Sequence, residues 1–574
     1  EGFEDPLHVA GIDPDTVIGD LQPDPGSRID IGRSQEPRFL HLRAASRDPY
    51  LTAIGECVPG VHHQVHDHLL HSRPVGPDRT ELRVEGDLEI RIEVENNRVS
   101  DAWSAGIMYR GFENLLVGRA VLDGLVLTPR ICGICSTSHL NAAAKALDMF
   151  FNVEIPNNAV RIRNITLIAE KIQNDIRHAF LLFMADFTNR AYQKHSLFAE
   201  AVRRYNPLSG ETTAATVHET KKILEIIANL GGQWPHSSFM VPGGVVSVPK
   251  ANDLAQCLFV IRNFRKWFES RVLGCRIERW MEVKSKADLD SWLDEAESHL
   301  KSDLGFYLRF AEEAGLQQIG RGCENFISFG SLDLPHDTGV KVDAENRQFI
   351  QPGFYHKRER RAFDQEKITE DVSHSWFDDS AHPKHPFEGE TRPYAIGKER
   401  GKYSWSKAPR YDAMPAETGP LAEMVVAADP LLVDFMRQEG PNVFIRELAR
   451  LIRPAYLIPL MERWLEETIR CHEEFYQDHS KKEKGEGYGL LEAPRGALGH
   501  WVKIKDAKIE KYQIITPTAW NASPRDANGF RGPCEEAIVG TEIKDLDNPI
   551  EVDHIIRSFD PCLVCTVHAV DVRK

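Results

Sequence analysis

The sequence contains no run of roughly 18 to 20 consecutive apolar residues, the length a helix needs to cross a bilayer. Its opening, EGFEDPLHVAGIDPD, also lacks the basic and then apolar segments of an export signal. Cysteine is sparse, 10 among 574 residues, which excludes a disulfide scaffold and favours a reducing compartment. The location expected is therefore cytoplasmic, with any membrane association running through partner chains. Positive charge is also short: 70 Lys and Arg against 86 Asp and Glu leave a formal net charge of -16. That balance argues against a nucleic-acid partner held through phosphate contacts. There is neither an internal repeat nor a low-complexity tract. A hydrophobic content of 42% and a charged content of 27% describe a globular chain long enough to bury a large core.

Residues 1–80 are rich in Pro, Asp, Arg and His without periodicity and read as an irregular arm. Its histidine cluster at 62–73, HHQVHDHLLHSR, is a weak metal candidate. From Leu88 the pattern alternates: Leu88, Ile90, Ile92 and Val94 interleave with Glu89, Arg91, Glu93 and Glu95, and Asn96-Asn97 follows. This is a half-buried strand entering a hairpin. Further on, Ile165, Ile168, Ala169, Ile172, Ile176, Ala179, Phe180 and Phe183 recur at helical spacing. Other helices are expected near 139–151, 253–283, 289–314 and 443–475, the last kinked or broken at Pro454 and Pro459. Residues 331–420 are charged and rich in Pro, Gly and His, and read as a long surface excursion. The fold expected is mainly α with a smaller antiparallel β part, an α+β arrangement around a central helix bundle.

Two Cys-x-x-Cys turns stand out, Arg130-Ile-Cys-Gly-Ile-Cys135 and Asp560-Pro-Cys-Leu-Val-Cys-Thr-Val-His568, more than 400 residues apart. Each turn sets two thiolates at chelating distance, so Cys132, Cys135, Cys562 and Cys565 form a four-thiolate site open to nickel, iron or zinc. Structural zinc pairs are usually about 15 to 20 residues apart and organise small units that lack a core. A chain of this length needs no such staple. Cys57, Cys257, Cys275, Cys323, Cys471 and Cys534 are scattered singly, as buried structural thiols are. They lack the spacing of iron-sulfur ligands, so no such cluster is expected on this chain.

With Arg83-Val-Glu-Gly86, Met108-Tyr-Arg-Gly-Phe-Glu113, Pro494-Arg-Gly-Ala-Leu-Gly-His-Trp501, Pro517-Thr-Ala-Trp-Asn521 and Gly532-Pro-Cys-Glu-Glu536 in the same order, the chain resembles the large subunit of nickel-iron hydrogenases. The resemblance implies a catalytic region over 81–574 and heterolytic cleavage of dihydrogen, reversible in principle with uptake favoured. It implies a nickel on all four thiolates, with Cys135 and Cys565 also bridging to an iron that carries carbon monoxide and two cyanides. Cys565 would exchange protons as well as bind metal, and Glu85 would lead the proton out. Arg495 would hang over the open coordination position. Thr518 would donate toward a cyanide, Pro494 would line the same pocket, and His139, one helical turn past Cys135, would hydrogen-bond toward the ligands. Glu113 and His568 would hold a second, redox-inert ion, magnesium or alternatively iron. Electrons would leave through an iron-sulfur small subunit bound over a large obligate interface, in a higher assembly of such pairs. The alternatives are a metal-free relative in a quinone-reducing respiratory complex, which lacks the four thiolates, and a structural zinc protein.

The chain departs from the family pattern at three places. Asp87 stands where a histidine often follows Arg-x-Glu-Gly. Asn174 stands where a pocket aspartate is expected, with Asp175 beside it, so electrostatic support of Arg495 falls to Asp560. Ala569 to Lys574 follow the position after His568 where the family's maturation protease cuts. Mass spectrometry of the mature protein is therefore expected to find a chain ending at His568; an intact Lys574 in active enzyme contradicts this.

Overall fold

The computed structural model describes residues 79–84, 88–107, 109–207, 209–336, 347–378, 382–394, 401–471 and 473–562. Glu85, Asp87, Cys565, His568, the histidine cluster, Cys57, the tail from Ala569 and nearly all of the 1–80 arm lie outside them. Of these described residues about 48% are helical, and the sheets are small and antiparallel.

Strands β1 (Arg79–Val84), β2 (Leu88–Glu95) and β3 (Arg98–Gly106) form one antiparallel sheet. Asn96 and Asn97 adopt φ of 52° and 59°, so the expected hairpin closes through two left-handed residues, a conformation that asparagine tolerates and that matches strand twist. The helical body contains α1 (Ser136–Phe151), α2 (Asn157–Arg177), α3 (Glu211–Gly231), α4 (Ala251–Trp267) and α5 (Val443–Arg470). Helix α2 packs against α1, α3 and α5. Its isoleucines pack as their spacing requires, yet every residue from Asn158 to Ile176 is buried, polar ones included. The helix then widens into a π-type turn over His178–Phe183.

Three expectations about helices change. Helix α5 continues for 28 residues through Pro454 and Pro459 without a break. Each proline removes a helical donor, a loss that burial of the surrounding face offsets. The 289–314 region is three helices, Lys286–Glu295, Glu297–Lys301 and Asp303–Ala314, because Ala296 and Ser302 are extended and restart the chain. The 253–283 region is likewise divided: α4 passes into a π-type turn that ends at Gly274, whose φ is 73°, before the short helix Ile277–Trp280.

Strands β4 (Gly485–Ala493), β5 (Gly496–Lys505) and β6 (Lys508–Ile515) form a second antiparallel sheet. Ala493 pairs with Gly496, so Pro494 and Arg495 alone make the loop between β4 and β5. This hairpin tip is buried. Gly496 has φ of 126°, and a Cβ there would lie 2.4 Å from Thr418 Oγ1, so only glycine lets the tip seat this deeply. A second core joins this sheet to the stretch expected as a surface excursion, through Phe329, Phe354, Ile368, Tyr411, Trp501 and Trp520. That stretch thus carries side chains inward as well as running over the surface. Strand β4 rides directly on the backbone of α1: a Cβ on Gly489 would lie 1.9 Å from the Ala142 carbonyl oxygen. Gly489→Ala is therefore expected to cost about 1–3 kcal/mol by overpacking, or more if β4 cannot shift. A lowered thermal midpoint measures this, and an unchanged midpoint contradicts it.

Candidate metal centre

Cys135 precedes the first turn of α1, and its N–H donates to Cys132 Sγ at 3.4 Å, the internal hydrogen bond that closes a Cys-x-x-Cys turn. The second motif follows helix α6 (Ile550–Ser558). There Asp560, with φ of 49°, turns the chain through the left-handed region that aspartate tolerates. Cys562 then meets Cys132 with sulfurs 3.4 Å apart, and its N–H donates to Thr518 Oγ1 at 2.9 Å. The Sγ atoms of Cys132, Cys135 and Cys562 all lie within 4.8 Å of one another, and all three residues are buried. The fourth motif cysteine, Cys565, lies outside the described residues.

Arg495 comes to this cluster from the β4–β5 tip. Its Nε donates to Asp560 Oδ1 at 2.9 Å, and Asn174 Nδ2 donates to Asp560 Oδ2 at 2.8 Å. Burial acts against the guanidinium charge, but Asp560, Cys562, Cys135 and Cys132 outweigh it and keep Arg495 a cation. Burial likewise acts against the Asp560 charge, and Arg495, His178 and Arg450 hold its carboxyl well below the usual range. Arg495 Nη1 is buried with no acceptor among the described residues. A soft thiolate triad beneath a fixed cation with a spare donor fits a thiophilic metal that carries an acceptor ligand. Sulfurs bound to one metal at about 2.3 Å lie no more than about 4.6 Å apart, a limit that Cys132 and Cys562 meet.

Pro494 is buried, and its carbonyl accepts from Arg453 Nη2 at 2.6 Å. Arg453 also donates to Asp175 at 2.7 and 2.9 Å and to Glu423 at 2.9 Å. Asn174 and Asp175, neighbours on α2, thus hold the two walls of the site, one through Asp560 and the other through Arg453. His139 Nδ1 lies 3.1 Å from His500 Nε2, whose Nδ1 lies 3.0 Å from Tyr512 Oη. Burial lowers His139 to about 4, partly opposed by Cys132, so its ring is neutral. Glu113 is buried in a separate cluster. It accepts from the Ile514 N–H at 2.9 Å, from the Thr391 hydroxyl, and from Lys407 Nζ at 3.2 Å. Lys407 also reaches Glu370 at 3.2 Å and Gln513 at 2.6 Å. Burial pushes the Glu370 carboxyl up to about 7, with Lys407 opposing the rise and Glu113 adding to it, so two carboxyl groups share one ammonium and offer oxygen donors suited to a further hard cation. Arg453 and Lys407 escaped the sequence reading, because a lone charged residue in a helix or loop carries no mark of burial; His500 enters it only as part of the Pro494–Trp501 motif, with no role of its own.

Residues 110–215 and 213–568 match the family described as nickel-dependent hydrogenase. The chain is 32% identical over 524 residues to a periplasmic [NiFeSe] hydrogenase large subunit of Desulfomicrobium baculatum, covering 85% of this chain and 93% of that relative. It is 31% identical over 559 residues to the hydrogenase-2 large chain of Escherichia coli K12, with 85% and 96% covered. Among solved structures, the reduced, active [NiFeSe] hydrogenase of Desulfomicrobium baculatum superimposes with a TM-score of 0.71 at 31% identity, covering 85% of this chain and 99% of that one. The reduced enzyme of D. vulgaris Hildenborough gives 0.70 at 30%, with 85% and 100% covered.

Removing Asp560 strands a buried guanidinium. Asp560→Ala is expected to cost about 3–5 kcal/mol, and the double variant with Arg495→Met to recover part of that loss. Denaturant unfolding of the three proteins decides it; additive losses contradict the pairing.

Proposed function

Because this chain belongs to the nickel-dependent hydrogenase family, as a catalytic large subunit acting on dihydrogen, we propose that it cleaves H2 heterolytically in the uptake direction and delivers electrons to an iron-sulfur small subunit. The observation that carries this reading is the buried thiol triad from opposite ends of the chain under Arg495, whose Nη1 lacks an acceptor. The family's nickel dependence displaces both alternatives, the metal-free relative and structural zinc. Some relatives are named [NiFeSe], but this chain reads cysteine at all four motif positions, so the centre proposed is nickel-iron with sulfur ligands.

Cys132, Cys135, Cys562 and Cys565 would hold nickel, with Cys135 and Cys565 shared with an iron bearing carbon monoxide and two cyanides. When bound, that centre supplies the soft, redox-active site that polarises the H–H bond and takes up two electrons. Arg495 holds a fixed positive charge above the thiols, and Asp560 fixes its direction. Thr518 spends an acceptor lone pair on the Cys562 N–H, which leaves its hydroxyl proton to donate into the pocket beside Pro494. The proton released is taken at Cys565 Sγ and passed to the Glu85 carboxylate. His139, neutral and buried, keeps one ring N–H to donate toward the ligands. Glu113 and His568 would hold magnesium, or iron.

The catalytic region spans 81–574, preceded by the 1–80 arm. Leu115, Val117, Leu122 and Val126 expose apolar side chains close in sequence to the first motif, which supports a partner chain seated there; a higher assembly of such pairs is proposed on the family resemblance alone. Among the described residues no helix is long and apolar enough to cross a membrane. The expected cytoplasmic location gains no support from the relatives, one of which is named periplasmic.

Infrared spectra of the purified complex are expected to show bands of metal-bound carbon monoxide and cyanide, with nickel and iron in metal analysis. Zinc alone, without those bands, overturns the proposal. Cys565→Ala should abolish hydrogen oxidation, while Glu85→Gln should retain the metals and lose proton exchange.

A further inference from the structure

A helix needs acceptors for its first N–H groups, and the residue that precedes it normally supplies one from its side chain. At α1 that residue is Cys135, which makes no such side-chain bond. Its thiol faces Cys132 and Cys562 instead. A sulfur committed to a metal is lost to capping, so the first turn of α1 must find its acceptors elsewhere.

They come from α2. Glu170, fully buried, accepts from the Thr137 N–H at 2.8 Å through one carboxylate oxygen. Its other oxygen accepts from the Ser138 N–H at 2.9 Å and from the Ser138 hydroxyl. Three donors thus converge on one carboxylate, two and three residues beyond a motif cysteine. Burial pushes the Glu170 carboxyl up to about 7, and the Ser138 and Thr137 donors hold it from rising further. We propose that Glu170 is a positioning residue for the thiolate site: it caps α1 from across the helix interface and so fixes the turn that presents Cys132 and Cys135. The inference rests on the proposed nickel site. Glu170 touches none of the three thiols in the described hydrogen bonds; it acts through the backbone of Thr137 and Ser138. Such outer partners of metal ligands typically change affinity by about 10- to 100-fold when removed.

The test uses the full-length chain produced without nickel, titrated with nickel(II) alone and followed by thiolate-to-metal charge-transfer absorption. Glu170→Ala should bind nickel roughly 10- to 100-fold more weakly, with a shifted absorption envelope and faster amide exchange at Thr137 and Ser138. Glu170→Gln keeps one acceptor oxygen and should restore part of the affinity; it is also the variant read if the alanine variant does not fold. A folded variant with faster exchange at Thr137 and Ser138 but unchanged nickel affinity and absorption overturns the positioning role alone. A wild-type chain that takes up no nickel overturns the metal reading and this inference with it.

Discussion

Two sulfurs separated by 430 positions in the chain lie 3.4 Å apart, and much of the surrounding architecture is organised by that closure. Neither motif can be brought there by local structure. The first is anchored by α1, which is pinned along its length by the glycines of β4. The second is delivered by α6 and turned inward at Asp560. Between them sits a hairpin tip of two residues that ordinary loops would keep in solvent, because a buried loop must find partners for its backbone. Arg453 supplies that partner at Pro494.

Apolar packing stabilises the closure, and buried charge specifies its arrangement. Arg446, Arg450 and Arg453 lie along one stripe of α5, and all are buried. They meet Glu417, Glu447, Asp175 and Glu423 at hydrogen-bonding distance. Buried pairs of this kind add little net stability compared with apolar packing, yet removing one partner is costly, so they specify a single arrangement more than they strengthen it. Near a metal that carries its own charge, a single arrangement is what fixes the local potential.

The readable parts of the sequence were those with a local physical signature. Asn96-Asn97 announces a turn because few other residues accept positive φ, and the isoleucines of α2 announce a helix by their period. The cysteine pairs announce a metal by their spacing. The polar face of α2 gave no comparable signal, since Glu170, Asn174 and Asp175 look the same in sequence whether they meet water or a buried partner. Composition hid the buried side chains of the stretch near 331–420 for a related reason: Lys407 and Glu370 raise its apparent polarity while lying buried beside Glu113. Pro454 and Pro459 suggested a break because propensity measures an isolated helix, whereas α5 is enclosed by its neighbours.

The separation of the two motifs also sets a clock. Synthesis at roughly 5–20 residues per second places about 20 to 90 seconds between the emergence of Cys135 and that of Cys562. During that interval Cys562 is not yet present to meet Cys132. The left-handed turn at Asp560, just past helix α6, is what then sets Cys562 against Cys132, so the two halves of the site are joined only when nearly the whole chain has been made.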